Sequence, residues 1–179
     1  MKNDGDPNEA ELWHGTRATP PEKLYRDEDC AFDFRFSDKG YWGKGSYFAK
    51  DSRYSVMYSH KLPGVAPKEE QILLALVTKG CVDDRGTDRD PELKRPGHGC
   101  HSVEAFTQGH HISVLYETSA RAYPSYLVTF SRGGRDTQPS SGLARSPTSP
   151  SSSASVAAVA SAYNAPLSVP PTFSRFAPP

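Results

Sequence analysis

Four groups of residues carry side chains that could do chemistry. The first is His14-Gly15-Thr16, directly after Leu12-Trp13. A glycine beside a histidine leaves the backbone next to the imidazole open to a ligand. Taken alone, a turn holding a hydrogen-bonded histidine is the plainer reading. The second is Gly43-Lys44-Gly45-Ser46-Tyr47-Phe48-Ala49, followed by a stretch bearing Ser55 and Tyr58. Tight glycines with two nearby tyrosines can form a flat slot for an aromatic ring. Such ring pairs contribute about 0.5–1.5 kcal/mol beyond area burial. Neither G-x-x-x-x-G-K-[ST] nor G-x-G-x-x-G occurs, so this is not a phosphate-cradling loop of those types. Taken alone, aromatic core packing is the simpler alternative. The third is His98-Gly99-Cys100-His101, with Cys81 some distance before it. A zinc site needs four ligands at regular spacing, and no second Cys or His stands close to Cys81, so no metal is expected. The pair His110-His111 reads as surface or packing. The fourth is RGTDRDPELKR at 85–95, whose mixed signs read as a solvated loop.

These residues need elements to hold them. Residues 1–10 are polar with Gly and Pro and are expected to fray. Glu11-Leu12-Trp13 reads as a short strand. Thr19-Pro20-Pro21-Glu22 opens a short helix with Thr19 as N-cap. In 30–40, Phe32, Phe34 and Phe36 alternate with Asp33 and Arg35, which predicts a strand or extended loop. SYFA at 46–49 reads as a strand. Asp51 or Ser52 then caps a helix reaching about His60, with Tyr54, Met57 and Tyr58 at helical spacing. QILLALVTK at 71–79 is a central strand, because an apolar run of that length suits burial on both faces. Residues 80–100 read as a loop. HISVLYE (111–117) and YPSYLVTF (123–130) are strands, with Pro124 suited to a strand start or a sheet edge. Mostly strands, two short helices and no βαβ repeat predict an α+β domain rather than a doubly wound sheet.

Composition narrows the functions. The chain has 179 residues, with 21 basic and 21 acidic side chains. Zero formal charge gives no support for nucleic acid as a partner. No apolar stretch is long enough for a membrane span, and no secretory leader is seen, so a cytoplasmic or nuclear location is expected. Three cysteines are sparse and odd in number, which suits a reducing compartment. Residues 133–179 contain 11 Ser, 8 Pro and only 4 charged residues, and read as a disordered tail. The expected organisation is therefore a disordered 1–10, a folded 11–132 and a disordered 133–179.

Taken together the motifs are more specific than any one of them. Residues 12–130 resemble the catalytic domain of the poly(ADP-ribose) polymerase family, the diphtheria-toxin-like ADP-ribosyltransferases. The resemblance runs through LWHGT at 12–16, FDFR at 32–35, GKGSYFA at 43–49, YSVMY at 54–58, Ser102-Val103 and AYPSYLVTF at 122–130. It implies two packed β-sheets with short helices around an NAD-binding cleft, shortened at the N-terminus relative to family domains. It implies NAD as co-substrate, without a metal. His14 would bond the adenosine ribose. Gly15 and Ser55 would hold the nicotinamide amide, and Tyr47 and Tyr58 would flank the ring. Thr16, Phe48 and Ala49 would complete the cofactor-binding set. The nicotinamide–ribose bond would break through an oxocarbenium-like state, and ADP-ribose would pass to a nucleophile on a protein acceptor.

In polymerising members of that family a Glu stands at the start of the strand before the YP segment. Matching HISVLYE to that strand puts Ile112 there, and Ile has no proton acceptor. A slip of one residue would place His111 or Ser113 at this point. Glu117 alternates to the other face, while Glu104 stays open as another carboxylate. The resemblance thus implies a His14-Tyr47-Ile112 set and a protein mono-ADP-ribosyltransferase. The alternatives are an inactive binding module of the same fold and, less favoured, a polymerase.

Overall fold

The apolar run at 71–78 has almost no polar face to give to water, and the sheet is built around it. In chain order the elements are β1 (Glu9–His14), α1 (Glu22–Arg26), β2 (Lys39–Gly40), β3 (Gly43–Lys44), β4 (Ser46–Ala49), α2 (Ser52–Val56) and β5 (His60–Lys61). They continue with β6 (Glu69–Thr78), β7 (Val82–Asp84), β8 (Ser102–Thr107), β9 (His110–Leu115), β10 (Ala122–Ser131) and β11 (Thr172–Arg175). The structure is a computed structural model describing residues 5–26, 32–64, 68–116, 121–132 and 172–175.

β6 lies between β1 and β10, antiparallel to both. The full order is β11-β10-β6-β1-β4-β9-β8-β7, with β5 added to β6. Among the described residues all strand pairs are antiparallel except β7 with β8. A separate ribbon joins β2 to β3. Many strands and two five-residue helices make an α+β fold, as the element pattern predicts.

Two separate packed sheets are not what the hydrogen bonds draw. The strands form one continuous nine-stranded sheet. Among the described residues its halves meet only at β1 and β4, through the single pair Trp13 and Ala49. The strands part there because His14-Gly15 must leave β1 for the end of α2. One core cluster spans the junction: Leu12, Leu73, Ala75, Val77 and Ala122 come from one half, Phe48 and Leu115 from the other. A second cluster, including Trp42, Val103, Ile112 and Val114, fills the β4-β9-β8 half. The sheet is thus continuous in pairing yet cored in two places.

Several local expectations change. Residues 9 and 10, expected to fray, open β1, pairing with Thr78 and Val77. The chain just before them is tied down as well, because the Lys79 and Gly80 amides donate to the Asn8 and Pro7 carbonyls. The helix after Thr19 begins only at Glu22, beyond Pro20 and Pro21. Phe34–Phe36 is a single 3-10 turn rather than an extended segment. The Asp33 carboxylate accepts the Arg35 amide at 2.8 Å, and this local bond outcompetes a strand ladder. Phe36 is left 78% exposed.

Asp51 caps α2 as expected, but the helix stops at Val56, and His60 is already in β5. Pairing of His60 with Gln71 supplies partners that a longer helix could not. β7 lies inside the stretch expected to be loop, and β8 was not foreseen as a strand. β10 carries an irregularity between Pro124 and Tyr126, directly after Pro124 pairs with Ala75 of β6, so the proline sits at a break in the ladder. In the expected disordered tail, Thr172–Arg175 pairs with Tyr126–Thr129 on the open edge of β10. The rest of that tail lies outside the described residues, as do Cys30 and Glu117.

Candidate active site

His14 ends β1, and β4 brings Tyr47 against it. The His14 Nδ1 lies 2.7 Å from the Tyr47 carbonyl oxygen. A carbonyl can only accept, so Nδ1 carries the proton. Burial lowers the His14 pKa below its usual value, and the bond to Tyr47 offsets this only in part. The imidazole is therefore neutral near pH 7, with Nε2 as a bare acceptor. Phe32 stands edge-on to the ring at 5.2 Å and Phe48 lies against it at the same distance, fixing its plane.

The next residue requires glycine for a different reason. A Cβ on Gly15 would lie 2.5 Å from both the Ser55 and the Tyr58 carbonyl oxygens. Both are backbone atoms, so neither can yield easily. Gly15 is thus seated on the C-terminal turn of α2. That contact brings Ser55, buried at 3% exposure, and Tyr58 beside the end of β1. The Arg17 amide continues the seam, donating to the Tyr58 carbonyl at 2.8 Å. Thr16 lies between these contacts, and its buried Oγ1 has no partner among the described residues. Buried hydroxyls are normally bonded, so this atom fits a ligand group arriving there.

Tyr47 is held by the ribbon of β2 and β3. Its hydroxyl donates to the Gly43 carbonyl at 2.8 Å and accepts from the Trp42 amide at 3.0 Å. Its ring lies over Gly40, where a Cβ would come within 2.7 Å of Tyr47 Cζ. Burial pushes its phenol up to about 12, so it is never ionised near neutrality. Tyr58 lies 5.2 Å from the Tyr54 ring, and the Arg17 guanidinium sits 4.5 Å from the Tyr58 ring centre. A cation over an aromatic face is attracted by its quadrupole.

The register of β4 with β9 settles which residues share a face. Tyr47 is opposite Val114, and Ala49 is opposite Ile112. Alternation therefore puts Tyr47, Ala49, Ile112 and Val114 on one side. Phe48, opposite Ser113, turns to the other side. Ile112 is 1% exposed within the second core cluster, on which Tyr47 and Tyr58 also pack. Glu104 is opposite Ser113 and receives the Lys79 ammonium at 2.6 Å, so it is committed on the opposite face from Ile112.

The structure thus brings His14, Gly15, Thr16, Tyr47, Ser55 and Tyr58 to one seam between β1, β4 and α2. It places Phe48 in the first core cluster on one face and Ala49 in the second on the other, with Ile112 opposite Ala49. Arg17, Gly40 and Trp42 also shape the seam and were not singled out from the sequence. The signal that could have found the ribbon is the pair Gly40 and Gly43 on either side of Tyr41-Trp42, the length of a two-residue hairpin turn. Among the described residues no group of three or more His, Cys, Asp and Glu side chains is gathered as a metal would require. Among them, too, no helix is long and apolar enough to cross a membrane.

No family model matches the chain. The chain is 26% identical over 133 residues to the protein mono-ADP-ribosyltransferase PARP14 of Homo sapiens, a match covering 72% of this chain and 7% of that protein. It is 28% identical over 122 residues to a probable poly [ADP-ribose] polymerase of Dictyostelium discoideum, covering 68% of this chain and 34% of the relative. It therefore spans a small part of the first and about a third of the second. The chain is related to the poly(ADP-ribose) polymerase family of ADP-ribosyltransferases.

Proposed function

We propose, proceeding from that relationship, that the chain is a protein mono-ADP-ribosyltransferase using NAD as ADP-ribose donor. The observation that carries the reading is the neutral, oriented His14. Its Nδ1 is spent on the Tyr47 carbonyl, so Nε2 is left to accept from a ribose hydroxyl. Beside it, the Gly15 backbone and Ser55 line the position for a carboxamide. That group presents both donors and an acceptor and needs partners once buried.

Tyr47 and Tyr58 supply aromatic faces for a planar ring that is cationic in NAD and neutral once released. The free Thr16 hydroxyl is a further bonding group in the same seam. When NAD is bound, it supplies the bond to be broken and a leaving group that departs uncharged, so no general acid is required of the protein. The residues orient that bond and exclude water from it, and orientation of this kind removes much of a barrier.

Single-unit transfer follows from Ile112. The side chain next to Ala49 is a buried hydrocarbon, and it cannot take a proton from an acceptor hydroxyl. A second ADP-ribose has no base to activate its attachment. Protein acceptors that bring their own acidic side chain are the fitting substrates.

Adenylate-labelled NAD incubated with the chain and a mixture of proteins tests the reading. Discrete labelled bands carrying single ADP-ribose units support it. A ladder of polymer would overturn the single-unit assignment. Absence of label above that of a folded His14→Ala variant would overturn the enzymatic one.

A further inference from the structure

Cys81 and Cys100 lie with their Sγ atoms 3.7 Å apart and both thiols free. Both residues are half-buried, so a small reagent can reach them. The backbone already holds them together, since the His101 amide donates to the Cys81 carbonyl at 2.7 Å and the Cys81 amide donates to His101 Nδ1 at 3.0 Å. A disulfide needs side chains that face each other across about 3.5–4.5 Å between Cβ atoms, and thiols already in contact need little further movement.

The segment between them braces Tyr47. The Trp42 indole donates to the Asp88 carbonyl at 2.6 Å. The Arg89 guanidinium stacks 3.8 Å from the Tyr41 ring centre. Lys39 pairs with Glu92. Leu93 packs so closely on Gly43 that a Cβ there would fall 1.8 Å from the Leu93 carbonyl oxygen. Gly43 adopts φ +74°, open to glycine alone at that separation. Gly43 and Trp42 are the two partners of the Tyr47 hydroxyl. The loop rooted at Cys81 and Cys100 therefore props the ribbon that fixes Tyr47.

We propose that Cys81 and Cys100 form a dithiol–disulfide exchange site, oxidised by a low-molecular-weight disulfide of the glutathione class, whose closure stiffens the brace on Tyr47. One protein thiolate attacks a sulfur of the oxidised reagent, breaking its S–S bond and releasing one thiol. The second protein thiol then attacks the mixed disulfide, forming the Cys81–Cys100 bond and releasing the other. Two protein thiols are oxidised and one small disulfide is reduced to two thiols, and the protein's two protons pass to the released thiols. Burial and the neighbouring thiol raise the Cys100 pKa, so Cys100 is the poorer attacker of a free reagent and acts second, when the mixed disulfide is already beside it. The loop closed this way includes β7 and the residues that touch Gly43 and Trp42. Neither exchange step involves NAD.

The full-length chain with Cys30→Ser, equilibrated over a range of reduced-to-oxidised glutathione ratios, tests it. The expected product is one species lighter by two hydrogens, with a Cys81–Cys100 cross-link in its peptide map. Hydrogen exchange of the segments over 39–47 and 85–97 should then slow by about tenfold. Variants Cys81→Ser and Cys100→Ser, both checked for unchanged thermal unfolding of the reduced protein, should show neither effect. Persistence of free thiols or mixed glutathione adducts in the most oxidising mixture overturns the exchange site. A cross-link that leaves exchange over 39–47 unchanged overturns the brace.

Discussion

Tyr47 places one hydroxyl between the Gly43 carbonyl and the Trp42 amide. Tyr47→Phe removes the acceptor of that amide and should cost about 1–3 kcal/mol. Urea unfolding that shows no loss would contradict the anchoring role. His14 makes a pH prediction whose sign follows from its lowered pKa. Above the ordinary value near 6.5 both folded and unfolded chains hold a neutral imidazole, and stability is fully present. As pH falls below that value the unfolded chain binds the proton first, so stability drops until the folded pKa is also passed. A His14→Asn variant should lose that part of the slope on the acid side of the ordinary imidazole pKa, measured as the urea midpoint. An unchanged slope would place the titration elsewhere. His14 and Tyr47 were both visible as motif residues. Their link through a backbone carbonyl was not, because a main-chain acceptor leaves no trace in residue identity.

At the scale of elements, Gly15 is where β1 meets α2. Gly15→Ala forces a Cβ onto two backbone carbonyls and should cost about 1–3 kcal/mol, more if the seam cannot open. A variant as stable as the parent would mean that the seam is looser than the geometry implies. The strands were legible where period or apolar run was strong, as in β4, β6, β9 and β10. β8 was missed, because Phe106 shares the outer face with Glu104 and blurs the alternation of Val103 and Ala105. The Phe32–Phe36 alternation pointed the wrong way because Asp33 caps a local turn. β11 could not be read from a Ser/Pro/Ala background. It exists because β10 offers an unpaired edge, and an edge recruits what chain is near.

At the scale of the molecule, the two halves of the sheet hang on one strand pair, and Ile112 belongs to the core of one half. Ile112→Glu would bury a carboxylate in the second core cluster, between Ala49 and Ala105. It should cost about 3 kcal/mol or more and should not create a polymerase. A stable Ile112→Glu variant making polymer would show that the position is open to substrate and not a core site. Composition had already separated a motif-bearing region from a Ser/Pro-rich one. It could not reveal that hydrogen bonding runs unbroken from β11 to β7, because a single pair carries the junction.

Release of nicotinamide from NAD by the purified chain tests the central claim most directly. It asks for the bond to break without requiring the right acceptor. Release well above the reagent blank is expected, lost in a His14→Ala variant that keeps its fold by circular dichroism. A folded parent chain that releases no more nicotinamide than the blank would contradict it.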